Sequence, residues 1–377
     1  MIQHEEKGQC CGCTACAEIC PAHCISMSSD QEGFLYPTTN TSRCLDCGLC
    51  EKVCPMDKPL DLGKEPLACY GAQAIDQDTR SHSSSGGIFP LLARQVIRNH
   101  GVVFGARFDK DFKVIHSYAE DEHSLTAFYG SKYAQSDIGD CYTEAETFLK
   151  DGREVLFSGT PCQIAGLNGY LRKEYPHLHT VSVVCHGAPS PLIWHDFLSY
   201  TLKRGKATAI NMRSKAGGWR DYHLEITGPS GILYDKKAAT VSYMKAFLSD
   251  LTLRPSCYSC PFRGNHGSDL ILGDFWGGEV FHPDYVDDRG TSIVIVYSEQ
   301  GLRLINSIDC SLQPTRYEYA IHGNPSMVHS NPAPTKRSQV FENYRKRGYA
   351  SLERFFKPTF KSVLRSYLKR FKTYLIG

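Results

Sequence analysis

Short apolar runs alternate with longer amphipathic segments through the middle of the chain, from residue 69 to about residue 333. The apolar runs are VVFGARF, EVLFSG, TVSVVC, DLILGDF and SIVIVYS. Their length and their content of β-branched residues are typical of strands. Between them lie GIFPLLARQVIRNH, QIAGLNGYLRKEY and PLIWHDFLSYTLKR, whose apolar spacing predicts helices. This alternation predicts an α/β domain with a mixed sheet, which we place at residues 63–333.

Two of these strands and the helix between them predict that two cysteines lie close together. EVLFSG ends just before Cys162, and TVSVVC ends at Cys185. A βαβ unit places the carboxyl ends of both strands at one edge of the sheet, where α/β folds bind their ligands. The segment LRPSCYSCPF adds Cys257 and Cys260. The sequence therefore offers four thiols for one site.

The pattern changes at both ends of the α/β domain. The stretch PMDKPLDLGKEPLA, rich in Pro and Gly, predicts a linker, so we place a boundary near residue 62. Residues 335–377 contain twelve Lys or Arg and two Glu. Apolar residues there recur at helical spacing, namely Phe356, Phe360, Val363, Leu364, Tyr367, Leu368 and Phe371. Residues 334–377 are thus predicted to form a basic amphipathic helical tail, either a peripheral membrane contact or a helix packed on the α/β domain.

Composition narrows the classes of protein. A chain of 377 residues suggests two domains and a tail, and its net charge of +2 gives no bias toward nucleic acid. The start, MIQHEEKGQCC, is polar where a secretion signal would be basic and then apolar, so we expect a cytoplasmic protein. Because thiols stay reduced in the cytoplasm, seventeen cysteines indicate metal or redox chemistry rather than disulfides.

Ten of the cysteines lie in the first 60 residues, mostly in two copies of C-x-x-C-x-x-C-x-x-x-C-P at residues 10–21 and 44–55. In such repeats the fourth cysteine ligates the other cluster. The rule defines a first cysteine set of Cys10, Cys13, Cys16 and Cys54. It defines a second cysteine set of Cys44, Cys47, Cys50 and Cys20.

Residues 8–58 therefore resemble two-cluster 4Fe-4S bacterial ferredoxins, and residues 1–62 are predicted to form an α+β, ferredoxin-like domain. A pair of zinc knuckles fits less well, because zinc sites are typically built from separated C-x-x-C pairs. Cys11 and Cys24 lie outside the frame and are expected to be packed or weakly exposed thiols.

Three interpretations are open for the third cysteine set, Cys162, Cys185, Cys257 and Cys260. Cys162 could be a nucleophile with His186 as its base. The four thiols could hold zinc. They could also hold a third 4Fe-4S cluster, which we favour because two electron-carrying clusters in the same chain need a place to deliver electrons.

With these cysteines in place, the chain resembles the coenzyme F420 hydrogenase/dehydrogenase beta-subunit family, which includes 7-hydroxymethyl chlorophyll a reductase. The resemblance is carried by SSSGGIFPLL, GSKYAQS, FSGTPCQIAGL, CHGAPSP, MRSKAGGW, LRPSCYSCPF and SDLILGDFWG. It implies a flavin, usually FAD, in the α/β domain beside a 4Fe-4S cluster. The fold it implies is not a standard dinucleotide-binding one, and the sequence accordingly lacks G-x-G-x-x-G.

Several residues in these blocks are candidates for flavin binding. SSSGG precedes a helix-like run, so this segment is either an anion-binding site at the start of the helix or an ordinary helix cap. Lys132 and Tyr133 offer a charge for a phosphate and an aromatic face, and Arg213 and Lys215 lie in a glycine-bearing segment. The predicted cofactor residues are Ser85, Gly86, Gly87, Lys132, Tyr133, Gln135, Thr160, Gln163, Arg213 and Lys215. His186 and Asp274 follow strands near the third cysteine set and are candidates for proton handling.

The sequence as a whole predicts an oxidoreductase that uses FAD or FMN together with 4Fe-4S clusters. It would relay electrons between a ferredoxin or another redox protein and an organic two-electron substrate, for example in polysaccharide or other small-molecule biosynthesis. Two alternatives are a non-catalytic electron-transfer subunit of a larger complex and a genuine coenzyme F420 oxidoreductase.

Overall fold

The computed structural model describes residues 2, 4, 6–57, 65–203, 205–264 and 267–357. Within them the strands are β1 Ile25–Ser29, β2 Leu35–Thr39, β3 Ala68–Ala74, β4 Val102–Phe108, β5 Val114–Ala119, β6 Val155–Gly159, β7 Leu178–Val183, β8 Ala209–Ser214, β9 His223–Gly228, β10 Gly231–Lys237, β11 Leu270–Asp274, β12 Ser292–Val296 and β13 Cys310–Pro314. The α-helices are α1 Ala15–Glu18, α2 Leu49–Lys52, α3 Gln77–Ser81, α4 Ile88–Arg98, α5 Glu122–Leu125, α6 Cys141–Lys150, α7 Pro161–Leu171, α8 Pro191–Leu202, α9 Ser242–Leu248, α10 Glu299–Asn306, α11 Tyr317–Gly323, α12 Arg337–Arg347 and α13 Ala350–Phe356. Short 3-10 helices span Lys7–Gln9, Thr41–Arg43, Thr126–Phe128, Lys215–Gly217, Ala238–Thr240, Pro255–Ser259, Gly278–Val280 and Pro325–Met327.

An eight-stranded mixed sheet forms the centre of the fold. Its strand order is β13-β3-β12-β11-β7-β6-β4-β5. The four strands β11, β7, β6 and β4 run parallel, and the outer strands pair antiparallel. The five predicted strands are β4, β6, β7, β11 and β12, and the three predicted helices are α4, α7 and α8. The predicted α/β fold class is confirmed.

Both faces of this sheet are covered, which explains why its central strands are apolar at consecutive positions. Along β6, Leu156 packs into the core beneath α4, while Phe157 packs on the opposite face against α6 and α7. Both side chains are fully buried. Because both faces are buried, β6 begins with three consecutive apolar residues, and its one polar side chain, Ser158, is buried and donates to the carbonyl of Phe104.

The predicted βαβ unit is formed by β6, α7 and β7, and the two strands pair in parallel. Thr160 and Gln163 form a capping box at the start of α7, in which the side chain of each residue accepts a hydrogen bond from the backbone amide of the other. Pro161 occupies the first turn of the helix. Cys162 therefore lies in the first turn of α7, and Cys185 lies two residues beyond the end of β7. Both follow the carboxyl ends of neighbouring parallel strands, as the sequence predicts.

The cysteine-rich N-terminal segment packs directly on α7. The β1–β2 hairpin is antiparallel, and α1 contacts α7. A Cβ added at Gly166 would lie 2.8 Å from Cβ of Cys13, and one at Gly169 would lie 2.4 Å from the carbonyl oxygen of Val53. Cys162, Gly166 and Gly169 share one face of α7 at spacings of four and three residues. This face allows the N-terminal backbone to approach the helix closely.

A second hydrophobic core is formed by α8, α9 and the described part of the basic tail. Strands β10, β9 and β8 form a three-stranded antiparallel sheet, and β8 and β9 contribute to this core. Val340, Phe341 and Tyr344 from α12 and Leu352 from α13 are buried in the same core. Residues 334–357 of the tail therefore pack on the protein, and Phe360, Val363, Leu364, Tyr367, Leu368 and Phe371 lie outside the described residues. In the described part of the chain, no helix has the length and apolar content needed to cross a bilayer.

Candidate cofactor-binding site

A cavity of about 720 Å³ opens at the carboxyl ends of β6, β7 and β11. This volume lies within the usual range for ligand sites, and the place is where α/β sheets bind ligands. The predicted site residues that line it are Ser85, Gly87, Lys132, Tyr133, Gln135, Thr160, Cys162, Gln163, Cys185, His186, Arg213, Cys257, Cys260 and Asp274. Gly86 and Lys215 are not part of its wall.

The third cysteine set is brought together at one side of this cavity. Burial and, to a smaller extent, the Cys162 and Cys260 thiols raise the pKa of Cys185 to about 12, against the opposing charge of Arg263. Burial and then the Cys185 thiol raise the pKa of Cys257. Burial followed by Cys162 raises the pKa of Cys260 to about 11. Thiols that perturb one another in this way are near neighbours.

The arrangement of these thiols differs from that of ligands converging on one ion. Within the described residues, no three Cys, His, Asp or Glu side chains are grouped tightly enough to surround a single metal ion. In a cubane cluster each thiolate binds a different iron, so its ligands surround a volume rather than a point. The four thiols of the third cysteine set line one cavity.

Cys11 joins the third cysteine set to the first. It is 6% exposed, lines the cavity, and its thiol is a neighbour of the Cys13 and Cys162 thiols. The neighbouring Cys11 thiol and then burial raise the pKa of Cys162. The sequence predicts a packed or weakly exposed thiol outside the ferredoxin frame at this position, and Cys11 is buried, with neighbours in two cysteine sets.

The two ferredoxin sets occupy different depths. Burial and then the Cys10 and Cys54 thiols raise the pKa of Cys16 to about 12, so Cys54 of the second repeat lies beside the first repeat. Sγ of Cys20 lies 3.3 Å from Sγ of Cys24, which also neighbours Cys44. All members of the first cysteine set are buried, whereas Cys44 is partly exposed and Cys47 is exposed.

The SSSGG loop approaches the sheet more closely than a side chain would allow. A Cβ added at Gly86 would lie 2.2 Å from the carbonyl oxygen of Ala72. The amide of Gly86 donates to Oγ of Ser292 (2.9 Å), and Oγ of Ser85 donates to the carbonyl of Thr291 (2.9 Å). Gly87 caps α4 with φ of 86°, a left-handed conformation that suits glycine. The loop thus places the beginning of α4 at the cavity wall.

Lys132 and Tyr133 form another part of the wall. Nζ of Lys132 donates to the carbonyls of Tyr129 (2.9 Å) and Gly130 (3.1 Å), which leaves one donor for a ligand when the amine is protonated. Burial lowers the pKa of Lys132 to about 7. The Tyr133 hydroxyl accepts a hydrogen bond from Nη1 of Arg213 (3.2 Å).

Arg213 is paired with Asp274 by two hydrogen bonds. Nη1 lies 2.8 Å from Oδ2 and Nη2 lies 3.2 Å from Oδ1, and Nε1 of Trp219 also donates to Oδ1 (2.9 Å). The guanidinium carbon lies 4.1 Å from the ring centre of Tyr222. The Asp274 carboxylate is therefore held as an acceptor within a buried network.

Three other predicted cofactor residues make contacts within the protein. Nζ of Lys215 donates to the carbonyls of Arg80, Ser85 and Arg289, at 2.7 to 2.8 Å. Gln163 bonds to Ser136 and to the cap residue Thr160. Lys215 thus anchors the SSSGG loop from outside the cavity, while Thr160 and Gln163 stabilise the turn that carries Cys162.

His186 lines the cavity beside the third cysteine set. Its Nε2 lies 2.7 Å from Oδ1 of Asp250, outside good hydrogen-bond alignment, and its ring meets Phe247 edge-on. Burial acts to raise the pKa of Asp250. The neighbouring His186 and Asn331 side chains act in the opposite direction and have the stronger effect, so the pKa lies below its usual value. An imidazole beside an ionised carboxylate is suited to holding a proton at the cavity.

His116 is a cavity residue that the sequence analysis missed. It is 6% exposed, and its Nε2 donates to the carbonyl of Ser158 (3.0 Å). Its Nδ1 is therefore an acceptor, and it is buried with no hydrogen-bond partner in the described part of the chain. Burial lowers the pKa of His116 to about 4, so the ring is neutral at pH 7. Nothing in the sequence around the single histidine of the strand VIHSYA indicates that its side chain borders a cavity.

Comparison with known families identifies two parts of the chain. Residues 152–313 match the model that describes the C-terminal part of the beta subunit of coenzyme F420 hydrogenase/dehydrogenase. Residues 9–58 match the model of the 4Fe-4S dicluster domain. The resemblance expected from the sequence is confirmed.

Individual relatives match mainly the cysteine-rich segment. NADH-quinone oxidoreductase subunit I of Pelobacter propionicus is 39% identical over 59 residues, which are 14% of this chain and 32% of that protein. Ferredoxin 7Fe of Hydrogenibacillus schlegelii is 43% identical over 42 residues, 11% of this chain and 47% of that protein. The chain thus spans about a third to a half of the curated relatives it matches. A chain of the F420-reducing NiFe hydrogenase complex from Methanosarcina barkeri aligns over 78% of this chain and 92% of its own length, at 15% identity and a TM-score of 0.47.

Proposed function

We propose that this redox protein is a flavin-dependent oxidoreductase with three 4Fe-4S clusters. The proposal is supported by the match of residues 152–313 to the model of the coenzyme F420 hydrogenase/dehydrogenase beta subunit and by the match of residues 9–58 to the 4Fe-4S dicluster model. In the proposed reaction, electrons pass between a ferredoxin or a similar protein and an organic two-electron substrate. The first, second and third cysteine sets are the proposed ligands of the three clusters.

The observation that carries this proposal is the set of side chains that line one cavity. Its lining includes the four thiols of the third cysteine set together with Lys132, Arg213 and residues of the SSSGG loop. A site that combines thiols with cationic groups suits a cluster beside a phosphate-bearing ring. When bound, a flavin would exchange single electrons with clusters and two electrons with organic molecules.

The packing of α7 supports a route between the cysteine sets. Cys162 lies in the first turn of this helix, and Gly166 on the same face contacts Cys13 of the first cysteine set. Cys11 is a neighbour of both Cys13 and Cys162. Because the second cysteine set includes the exposed Cys47, we propose that electrons enter there, pass to the first set and then to the third.

The polar groups of the cavity fit a flavin and its substrate. His116 Nδ1 and Arg213 Nε are buried without hydrogen-bond partners among the described residues, which is costly unless a ligand supplies them. Lys132 retains one donor for an anionic group. His186, beside Asp250, is the proposed proton carrier next to the third cysteine set. Because Asp274 is engaged by Arg213 and Trp219, we propose that it orients Arg213.

A cofactor count tests this proposal. Protein purified without oxygen is expected to contain about twelve irons, matching acid-labile sulfide and one flavin per chain. About eight irons with one zinc would instead support the zinc interpretation of the third cysteine set. A full count of iron without flavin would contradict the oxidoreductase and favour an electron-transfer subunit. Single-turnover assays of the reduced protein with candidate acceptors, coenzyme F420 included, would then identify the substrate.

A pair of His116 variants tests whether Nδ1, which is buried without a hydrogen-bond partner among the described residues, contacts the flavin. His116→Gln keeps an amide donor near the position of Nε2, whereas His116→Asn keeps an acceptor near that of Nδ1. If Nδ1 binds the flavin, His116→Gln is expected to weaken flavin binding about three- to tenfold, the worth of one hydrogen bond. Flavin fluorescence during reconstitution measures this affinity.

The two variants serve as controls for each other. His116→Asn should lose the bond to Ser158 yet bind flavin more tightly than His116→Gln. The reverse order would assign His116 to holding β5 and β6 together rather than to the ligand.

A further inference from the structure

Arg254 is a buried guanidinium with no carboxylate partner in the described part of the chain. It is 1% exposed. Two other largely buried arginines are paired conventionally, Arg213 with Asp274 at 2.8 Å and Arg337 with Glu32 at 2.5 Å. An isolated buried charge costs several kcal/mol, so a compensating negative charge is expected nearby.

The contacts of Arg254 identify where that charge lies. Nε donates to the carbonyl of Cys10 (2.7 Å), and Nη2 donates to the carbonyl of Leu35 (2.8 Å) and to Sγ of Cys10 (3.4 Å). Nη1 donates to Oε1 of Gln135 (3.2 Å). The guanidinium carbon lies 4.2 Å from the ring centre of Tyr36. Of these partners, the Cys10 sulfur alone becomes anionic when it ligates a metal.

Backbone segments from both cysteine-containing regions pack closely around Arg254. A Cβ added at Gly12, where φ is +74°, would lie 2.7 Å from Nη1 of Arg254. The amide of Arg254, three residues before Cys257, donates to the carbonyl of Ala188, which lies three residues after Cys185. Gln135, its other partner, also donates to the carbonyl of Cys11 (2.9 Å). Arg254 therefore lies between the first and third cysteine sets and contacts a member of the first.

The sulfurs of the second cysteine set have different donors. Sγ of Cys44 accepts from the amide of Asp46 (3.4 Å), and Sγ of Cys50 accepts from the amide of Ile2 (3.3 Å). Hydrogen bonds and net charge around the sulfurs set the potential of an iron-sulfur cluster. A fixed positive charge stabilises the reduced form most, because that form carries one more negative charge.

We propose that Arg254 raises the reduction potential of the cluster held by the first cysteine set above that of the cluster held by the second. This rests on the proposed function. An electron that enters from a low-potential protein donor reduces the second cluster, then passes to the first and leaves the second oxidised. The electron is thereby held beside the third cysteine set, so that transfer through the chain is directed inward.

Potentiometric titration of the full-length protein, followed by electron paramagnetic resonance, tests this proposal. In the unaltered protein, the two ferredoxin signals are expected to titrate at separate potentials. Arg254→Gln should move the higher of them to a lower potential and leave the other signals in place. Arg254→Lys, which keeps the charge, should retain most of the separation.

Arg337→Gln provides a matched control. Arg337 also joins the N-terminal segment to the rest of the protein, through Glu32, but it contacts no cysteine sulfur among the described residues. All midpoints should be unchanged in that variant. Equal midpoints for the two ferredoxin signals in the unaltered protein, or unchanged midpoints in Arg254→Gln, would overturn the proposal. A protein without cluster signals would instead contradict the proposed function itself.

Discussion

Replacing Cys162 by serine is expected to remove about four irons per chain and to disconnect the flavin from the ferredoxin clusters. Cys162 is the member of the third cysteine set that lies against Cys11, and Cys11 lies against Cys13. Loss of the third cluster would therefore interrupt the proposed route between the first cysteine set and the flavin. Anaerobic iron and sulfide analysis measures the first effect, and the rate of flavin reduction after addition of a one-electron donor measures the second.

Cys310→Ser is the control for this variant. Cys310 is a partly exposed thiol on the edge strand β13 and does not line the cavity. Its replacement should leave both the iron content and the rate unchanged. If Cys162→Ser loses neither iron nor zinc, Cys162 is a lone thiol. Loss of one zinc with no loss of iron would identify a zinc site.

Replacing Arg213 by methionine is expected to lower the free energy of unfolding by about 3–5 kcal/mol, because it leaves the buried Asp274 carboxylate without its cation. The side chains of Arg213 and Asp274 are 3% and 17% exposed. The variant should also bind flavin more weakly, since Arg213 lines the cavity. Anaerobic urea denaturation and flavin content measure the two effects.

Two further variants separate charge from packing. Adding Asp274→Asn to Arg213→Met removes the unpaired charge and should restore part of the lost stability. Arg220→Met removes an arginine that pairs with Glu279 and Asp288 at the surface, and should cost about 0–1 kcal/mol. Similar losses for Arg213→Met and Arg220→Met would show that burial of the Arg213 pair contributes little.

The predictions that succeeded rest on local patterns. The strand β6 is recognisable because its side chains are buried on both faces of the sheet, and the position of Cys162 follows from the strand and helix around it. The juxtaposition with Cys185 follows from the geometry of a βαβ unit. These features need only the sequence near each residue.

The residues that were missed depend on distant partners. Arg254 contacts Cys10, Leu35 and Gln135, which lie 244, 219 and 119 positions away in the chain. The charge of Lys215 made it a candidate for binding an anion, but the sequence could not show that its ammonium points at three carbonyls outside the cavity. The direction of a side chain is set by the packing of segments remote in sequence.

Rapid mixing without oxygen tests the central claim, that the third cysteine set connects the ferredoxin clusters to a flavin. The oxidised protein is mixed with a limiting amount of a strong one-electron donor, and cluster and flavin absorbance are followed together. We predict that cluster absorbance bleaches first and recovers as the flavin becomes reduced, with two electrons per flavin. Clusters that remain reduced beside an oxidised flavin would contradict it.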